Sequence, residues 1–402
     1  MILRDVLKQI VKSQESEILS AEKGVKRKSL GEIDLDLPHA QIVSGVRRCG
    51  KSTFMRQLMD LQENPCYFNF EDPRALNFEV SDFKKLEEIF NEEYGICNSF
   101  FFDEIQNVAR WEVAVRSILD REKKVVVTGS NASLLSRELG TRLTGRHLRH
   151  ELFPFSYTEM LTLTKKKPGI ESFDKYMEKG GFPEYLRYGR IDILQSLFED
   201  IIARDIVVRH NIRNSETLRE MAVYLLTNTS KEFTYNSLRK IFSLGSTNTA
   251  TSFVSYLGDS YLVFTVPKFD YSLKKRLVNP KKVYSIDVGL ANANSVSFSE
   301  DKGRVLENIV YLKLREKTKE IFYYRRKGEC DFVAREGKKI TRAVQVCYSL
   351  NEENQEREIN GLIEALNEFN LKEGLILTHN QEDQLVIGSR KIIVKPAWKW
   401  MT

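Results

Sequence analysis

The residues best equipped for chemistry begin just after Ala40. Gln41-Ile-Val-Ser leads into Gly45-Val46-Arg47-Arg48-Cys49-Gly50-Lys51-Ser52-Thr53, which matches G-x-x-x-x-G-K-[ST] at every position. The glycines let the backbone curl until its N–H groups surround phosphate oxygens. The helix expected from Thr53 to Leu61 adds positive potential at its N-terminus. Lys51 is the group to reach the β- and γ-phosphates, and the Ser52 hydroxyl is the group to hold Mg²⁺. The expected ligands are therefore ATP and Mg²⁺. A glycine turn that carries Lys and Ser by coincidence is the bland alternative; the strand-like run before and the helix-like run after speak against it.

A phosphate loop of this kind needs a carboxylate for its metal. Ser99-Phe100-Phe101-Phe102-Asp103-Glu104 offers two at the end of an apolar run. Asp103 is placed to hold Mg²⁺ by way of water, and Glu104 to orient and deprotonate the attacking water. The next apolar run, Val125-Val-Val-Thr-Gly-Ser130-Asn131, also ends in polar groups. In a parallel sheet the strand C-termini line the ligand crevice, so Ser130 or Asn131 either senses the γ-phosphate or caps the helix that follows. Arg137, Arg142, Arg146 and Arg149 crowd the stretch around Gly140–Gly145. They supply charge to a transition state, from a neighbouring subunit or domain, or they form a solvated basic loop.

These groups need rigid elements to hold them. From Ala40 to about Phe155, short β-prone runs alternate with helix-like stretches. The runs at 99–102 and 125–128 are apolar without alternation, as parallel strands buried on both faces are. An α/β layout with one sheet follows. Residues 1–30 read as an amphipathic helix and a basic connector, and residues 170–260 as almost entirely helical. The chain has 402 residues, 42% of them hydrophobic and 29% charged, with 62 Lys/Arg against 56 Asp/Glu for a net charge of +6. That balance belongs to a globular protein of more than one domain, mildly basic, and excludes global disorder. No apolar run is long enough to cross a bilayer, so no membrane partner is expected. The first 18 residues alternate charge with apolar residues, unlike an export signal. The five cysteines (Cys49, Cys66, Cys97, Cys330, Cys347) form no C-x-x-C pair and read as reduced thiols in a cytoplasm.

The order of motifs resembles a family of prokaryotic AAA+-type ATPases in which a winged helix and a PD-(D/E)XK nuclease-like domain follow the nucleotide domain. The resemblance rests on GVRRCGKST, FFFDEIQNV, VVVTGSNASLLS, LTGRHLRHELFPFSYTEML and GGFPEY, and spans about 40 to 350. It implies that Arg146 is the arginine-finger candidate and that Ser130 or Asn131 is the sensor; a homo-oligomer is expected if Arg146 acts in trans. It implies a P-loop AAA+-type domain over 1–205, a winged-helix domain over 206–295 and a restriction-nuclease-like α/β domain over 296–402.

The residues of the middle part suit that order. Helix-like runs at 217–229, 235–242 and 246–261 precede two strand-like runs that flank a basic segment. Between Arg204 and Asp287 there are 13 Lys/Arg against 7 Asp/Glu. Thr247, Asn248, Thr251 and Ser255 are placed to meet base edges of double-stranded DNA, and Lys274, Lys275, Arg276, Lys281 and Lys282 to meet its phosphates. A structural lid with a solvated basic hairpin is the alternative.

In the last third, Glu307 on a helix, Asp331 on a strand, and Gln345 with Cys347 on the next strand have the spacing of a PD-(D/E)XK core. Cys347 stands where a lysine is needed, and Gln345 is a weaker metal ligand than Glu. A degenerate, inactive centre is the expectation, unless Lys313, Arg325 or Lys327 substitutes in space. Three functions remain at this stage: an ATP hydrolase coupled to DNA, a nucleotide-switched scaffold with protein partners, and an ATP-gated nuclease.

Overall fold

A computed structural model describes residues 1–131, 143, 145–296 and 301–402. Those residues fall into two compact units, Met1–Phe153 and Pro154–Thr402. Residues 154–205, grouped with the nucleotide domain in the sequence reading, cluster with the second unit. Among the described residues no helix is long and apolar enough to cross a membrane. Arg137 and Arg142 lie outside the described residues.

The first unit opens with α1 (Arg4–Ser20), which buries Leu7, Ile10, Val11, Gln14 and Ile18 along one face. Five parallel strands follow: β1 (Ala40–Ser44), β2 (Pro65–Asn69), β3 (Ser99–Asp103), β4 (Lys124–Gly129) and β5 (His147–Glu151). Their order across the sheet is β2-β3-β4-β1-β5. The helices between them are α2 (Lys51–Met59), α3 (Asp82–Tyr94) and α4 (Trp111–Leu119). β1 and β3 are buried at every position, which is why their sequences show no alternation. Phe68, Phe70, Phe78, Phe83, Phe100 and Phe102 form a continuous aromatic core, with ring centroids such as Phe83–Phe102 at 5.4 Å. All five strands run the same way, so the ends of β1, β3 and β4 share one edge. The phosphate-loop motif, the acid pair and Ser130 all leave from that edge.

The expectation of five reduced thiols is corrected at two positions. Cys66 on β2 and Cys97 just before β3 are joined as a disulfide, with 6.2 Å between their Cα atoms. The neighbouring parallel strands place Pro65 opposite Ser99, and that register brings the two sulfurs together. Cys49, Cys330 and Cys347 are free and buried.

The second unit starts with helices α5 (Tyr157–Thr164), α6 (Ile170–Lys179), α7 (Pro183–Tyr188) and α8 (Ile191–Asp200). Then come α9 (Ser215–Thr227), β6 (Glu232–Phe233), α10 (Tyr235–Ile241), α11 (Thr247–Asp259), β7 (Val263–Pro267), α12 (Leu273–Val278) and β8 (Lys281–Ser285). These three strands form an antiparallel sheet in the order β6-β8-β7. The basic stretch between β7 and β8 holds the short helix α12 rather than a bare loop. Ser272 caps it by accepting from the Lys275 N–H. After α13 (Val288–Asn294), the chain continues through α14 (Lys302–Arg315), β9 (Ile321–Arg325), β10 (Glu329–Glu336), β11 (Lys339–Val346), α15 (Gln355–Glu368), β12 (Glu373–Thr378), β13 (Asp383–Ile387) and β14 (Arg390–Pro396). The six strands make a mixed sheet in the order β13-β14-β12-β11-β10-β9.

Candidate functional site

The loop from Gly45 to Gly50 joins β1 to α2. Gly50 adopts φ +98° at the helix N-cap, a left-handed conformation that side chains disfavour. A Cβ on Gly45 would lie 2.2 Å from the Leu152 carbonyl oxygen, so only glycine lets the loop start beside the end of β5. Lys51 is almost wholly buried. Its ammonium donates to the carbonyls of Gly45 at 3.2 Å and Val46 at 3.4 Å, and pairs with Glu104 at 3.2 Å. Burial pulls this ammonium towards neutrality, but Glu104, then Cys49 and Asp103, outweigh it and hold its pKa above the ordinary value. Ser52 is exposed at the loop mouth.

The acid pair comes in from the end of β3. Asp103 is fully buried. It accepts from the Tyr67 hydroxyl at 3.1 Å and from the Thr128 hydroxyl, and it bonds the Ser52 side chain. Burial and then the neighbouring Glu104 charge raise its pKa. Glu104 turns out of the strand with φ +51°. Its N–H donates to Thr128 Oγ1 at 2.9 Å, and its carboxylate accepts from Gln106. Burial raises the pKa of Glu104, but the Lys51 charge outweighs it and the net shift is down, leaving an ionised carboxylate at neutral pH. Ser130 and Asn131 are buried just past β4.

The structure thus gathers Lys51, Ser52, Asp103 and Glu104 at one mouth and adds two residues that sequence reasoning missed. Thr128 links the two acids. Its signal was present as a lone hydroxyl two positions before Ser130 in an otherwise apolar strand. Arg27, read only as part of a basic connector, is buried against the loop. Its guanidinium donates to the Cys49 carbonyl at 3.0 Å and to the Phe153 carbonyl at 2.5 Å. No local pattern marks it.

Arg146 sits at the other edge of the sheet. Its carbonyl accepts from Ala40 at 3.1 Å, at the start of β1 and β5. Its guanidinium pairs with Asp120 and donates to the Leu119 carbonyl at 3.2 Å. The length of β5, about 13 Å at 3.3 Å per residue, separates it from the loop of its own chain.

In the second unit, Asn248, Thr251 and Ser255 are exposed on one side of α11, and Lys274 and Lys275 are exposed on α12. Arg276 is only half exposed and lies 5.6 Å from the centre of the Phe322 ring. Lys282 departs from the expectation of a phosphate contact: its side chain is 5% exposed and turned inward. It meets Glu307 at 3.0 Å, Glu329 at 2.9 Å and Asp331 at 2.8 Å. Gln345 Oε1 accepts from the Asp331 N–H at 3.0 Å, and the Val346 N–H donates to Asp331 at 3.0 Å. Glu307, Asp331 and Gln345 are therefore one cluster. Cys347 turns aside, its thiol 3.1 Å from the Ser349 carbonyl, and burial pushes its pKa up to about 11. Lys313 pairs with Glu316; Arg325 pairs with Glu232 and also comes within 3.8 Å of Glu329, beside the cluster.

The loop, the acid pair and the five-stranded order define a P-loop nucleotide-binding domain, and residues 38–161 match the family model described as an AAA domain. Residues 170–301 match a domain of unknown function, DUF8612. The chain belongs to the family of the uncharacterized protein MJ1544 of Methanocaldococcus jannaschii, to which it is 32% identical over 100% of its own length and 96% of that protein's. An uncharacterized protein of Haemophilus influenzae is 28% identical over 80% of this chain and 86% of its own. Two solved structures align loosely. The replication initiator DnaA bound to AMPPCP and single-stranded DNA has a TM-score of 0.30 at 14% identity, covering 63% of this chain and 91% of that one. Cdc6p of Pyrobaculum aerophilum has 0.26 at 12%, covering 75% and 94%. An overlap this loose carries no argument about function.

Proposed function

We propose that the chain is a Mg²⁺-dependent ATP hydrolase of AAA type whose nucleotide cycle is coupled to double-stranded DNA. The observation that carries the reading is the meeting of Lys51, Ser52, Asp103 and Glu104 at the mouth of one phosphate loop. Ser52 and Asp103 are a hydroxyl and a carboxylate in contact, the hard oxygen set that suits Mg²⁺. They would hold the ion, which when bound neutralises charge on the phosphates. Lys51, leaving the Gly45 and Val46 carbonyls, binds the β- and γ-phosphates. Glu104, ionised, takes the proton of the attacking water. Thr128 ties the Asp103 carboxylate to the Glu104 backbone. Ser130 or Asn131 senses the γ-phosphate. Arg146 faces away from its own loop, as a group serving a neighbour's nucleotide must, and this favours a homo-oligomer.

The DNA part of the reading rests on the second unit. The sequence α9-β6-α10-α11-β7-β8 with sheet order β6-β8-β7 follows the winged-helix plan, and α11 offers Asn248 and Thr251 outward. Residues 206–295 are proposed as the DNA-facing part and 296–402 as a nuclease-like fold without nuclease activity. A scaffold role with a protein partner has one specific observation in its favour: Leu273, Leu277 and Val278 on α12 are 63%, 64% and 73% exposed. Phosphate turnover with and without duplex DNA, over a salt series, separates the two. Coupling to DNA predicts stimulation and an affinity that falls steeply with salt, by about 0.9 log units per log unit of salt for each phosphate contact. Absence of duplex binding at low salt would leave the protein-partner reading.

A further inference from the structure

Resting on the nuclease-like reading of 296–402, the geometry points to Lys282 as a built-in replacement for the divalent cation that such a fold holds at its acidic centre, closing that centre to metal and making it an ionic joint between β8 and the acids of α14 and β10. An ammonium has three hydrogens to donate. Lys282 has three carboxylates within 3.0 Å, one from α14 (Glu307) and two from β10 (Glu329 and Asp331). Each hydrogen has its acceptor, and the nitrogen stands where the carboxylates converge.

The other ligand positions are also taken. Glu307 Oε1 accepts a second bond from the Tyr284 hydroxyl at 2.7 Å. Asp331 Oδ2 is held by the Val346 N–H. Gln345 spends its carbonyl on the Asp331 N–H and its amide on Glu358. Mg²⁺ needs near-octahedral oxygens at about 2.0–2.1 Å, and a second cation in this space would face the ammonium at hydrogen-bond range. Room is not what excludes the ion. The acids line a cavity of 530 Å³, large enough for a hydrated metal, so the ion is kept out by the Lys282 charge and the occupied ligand atoms rather than by lack of space. Among the described residues no group of three or more His, Cys, Asp or Glu has an arrangement that holds a metal ion. The cation absent at position 347 has thus been replaced from β8, in a position that blocks metal rather than assisting it.

The probe is Mn²⁺, titrated into the nucleotide-free full chain and followed by the loss of free-ion EPR signal. The parent and Asp331→Asn should give the same curve. Lys282→Met, which keeps the stem and removes the charge, should gain one Mn²⁺ per chain, and adding Asp331→Asn should abolish that gain. Three results would overturn the proposal: Mn²⁺ uptake by the parent that Asp331→Asn removes; a Lys282→Met protein that melts like the parent yet gains no ion; or Mn²⁺-dependent plasmid cleavage by the parent that Lys282→Met abolishes, which would make Lys282 a catalytic lysine. If Lys282→Met does not fold, Mn²⁺ uptake by the parent that Asp331→Asn removes would still overturn the proposal.

Discussion

Replacing Glu104 with Gln should change binding and chemistry in opposite directions. The amide keeps the shape, and Gln tolerates the φ of +51° as well as Glu does. The chemical effect follows from the role of general base, which typically contributes 10²–10⁴-fold, so turnover should fall by about that factor. The binding effect follows from the Lys51–Glu104 contact at 3.2 Å. At an effective dielectric of about 20 the gross attraction is about 5 kcal/mol, and ATP must displace it to use the ammonium. Resolvation of Glu104 returns most of that. A residue of about 1 kcal/mol would tighten ATP roughly fivefold. Calorimetry gives the affinity and phosphate release gives the rate. Turnover within about threefold of the parent would refute Glu104 as the base. Slow turnover with clearly weaker binding would refute the competition for Lys51 and assign Glu104 to holding nucleotide.

Arg146→Ala should lose on the order of 10³ in turnover, and mixing it with Lys51→Ala subunits should restore part of it; full activity of Arg146→Ala alone would contradict the role in trans. The Cys66–Cys97 bond closes a sequence separation of 31, worth about 3.7 kcal/mol in the chain-entropy picture, so reductant or Cys66→Ser should lower the melting temperature of the first unit by roughly 7–15 °C; identical melts with and without reductant would contradict this. Burial, then the Asp331 charge, push the Glu307 carboxyl up to about 8 from 4.5. A group raised on folding stabilises fully below its unfolded pKa, and that contribution is lost as pH rises from 4.5 through 8. Unfolding free energies from urea titrations across this window should fall in the parent, by up to about 1.4 kcal/mol per pH unit, and less in Glu307→Gln; parallel curves would count against it.

Much of the nucleotide site was legible because its determinants are local. A phosphate loop is one continuous stretch, and a buried parallel strand announces itself as an apolar run ending in Asp103 and Glu104. Thr128 and Arg27 were not legible, since their roles arise from strand order and from a segment folding back on the loop. The disulfide was missed for the same reason: Cys66 and Cys97 meet only because β2 and β3 are neighbours in register. Lys282 misled most. In sequence it is one of five clustered cations, but strand alternation turns it inward while Lys274 and Lys275, on a short helix, stay outside. The acid cluster around Glu307 and Asp331 could be foreseen from spacing, whereas its resident cation comes from a different sheet.

The most direct test of the central claim is Mg²⁺-dependent phosphate release from ATP by the purified chain beside its Lys51→Ala variant. The parent should release phosphate until Mg²⁺ is chelated, and the variant should fold with the parent's melting curve yet release phosphate only at background. A Lys51→Ala protein that binds and hydrolyses ATP at the parent's rate would contradict the assignment of the loop from Gly45 to Ser52 as the catalytic nucleotide site.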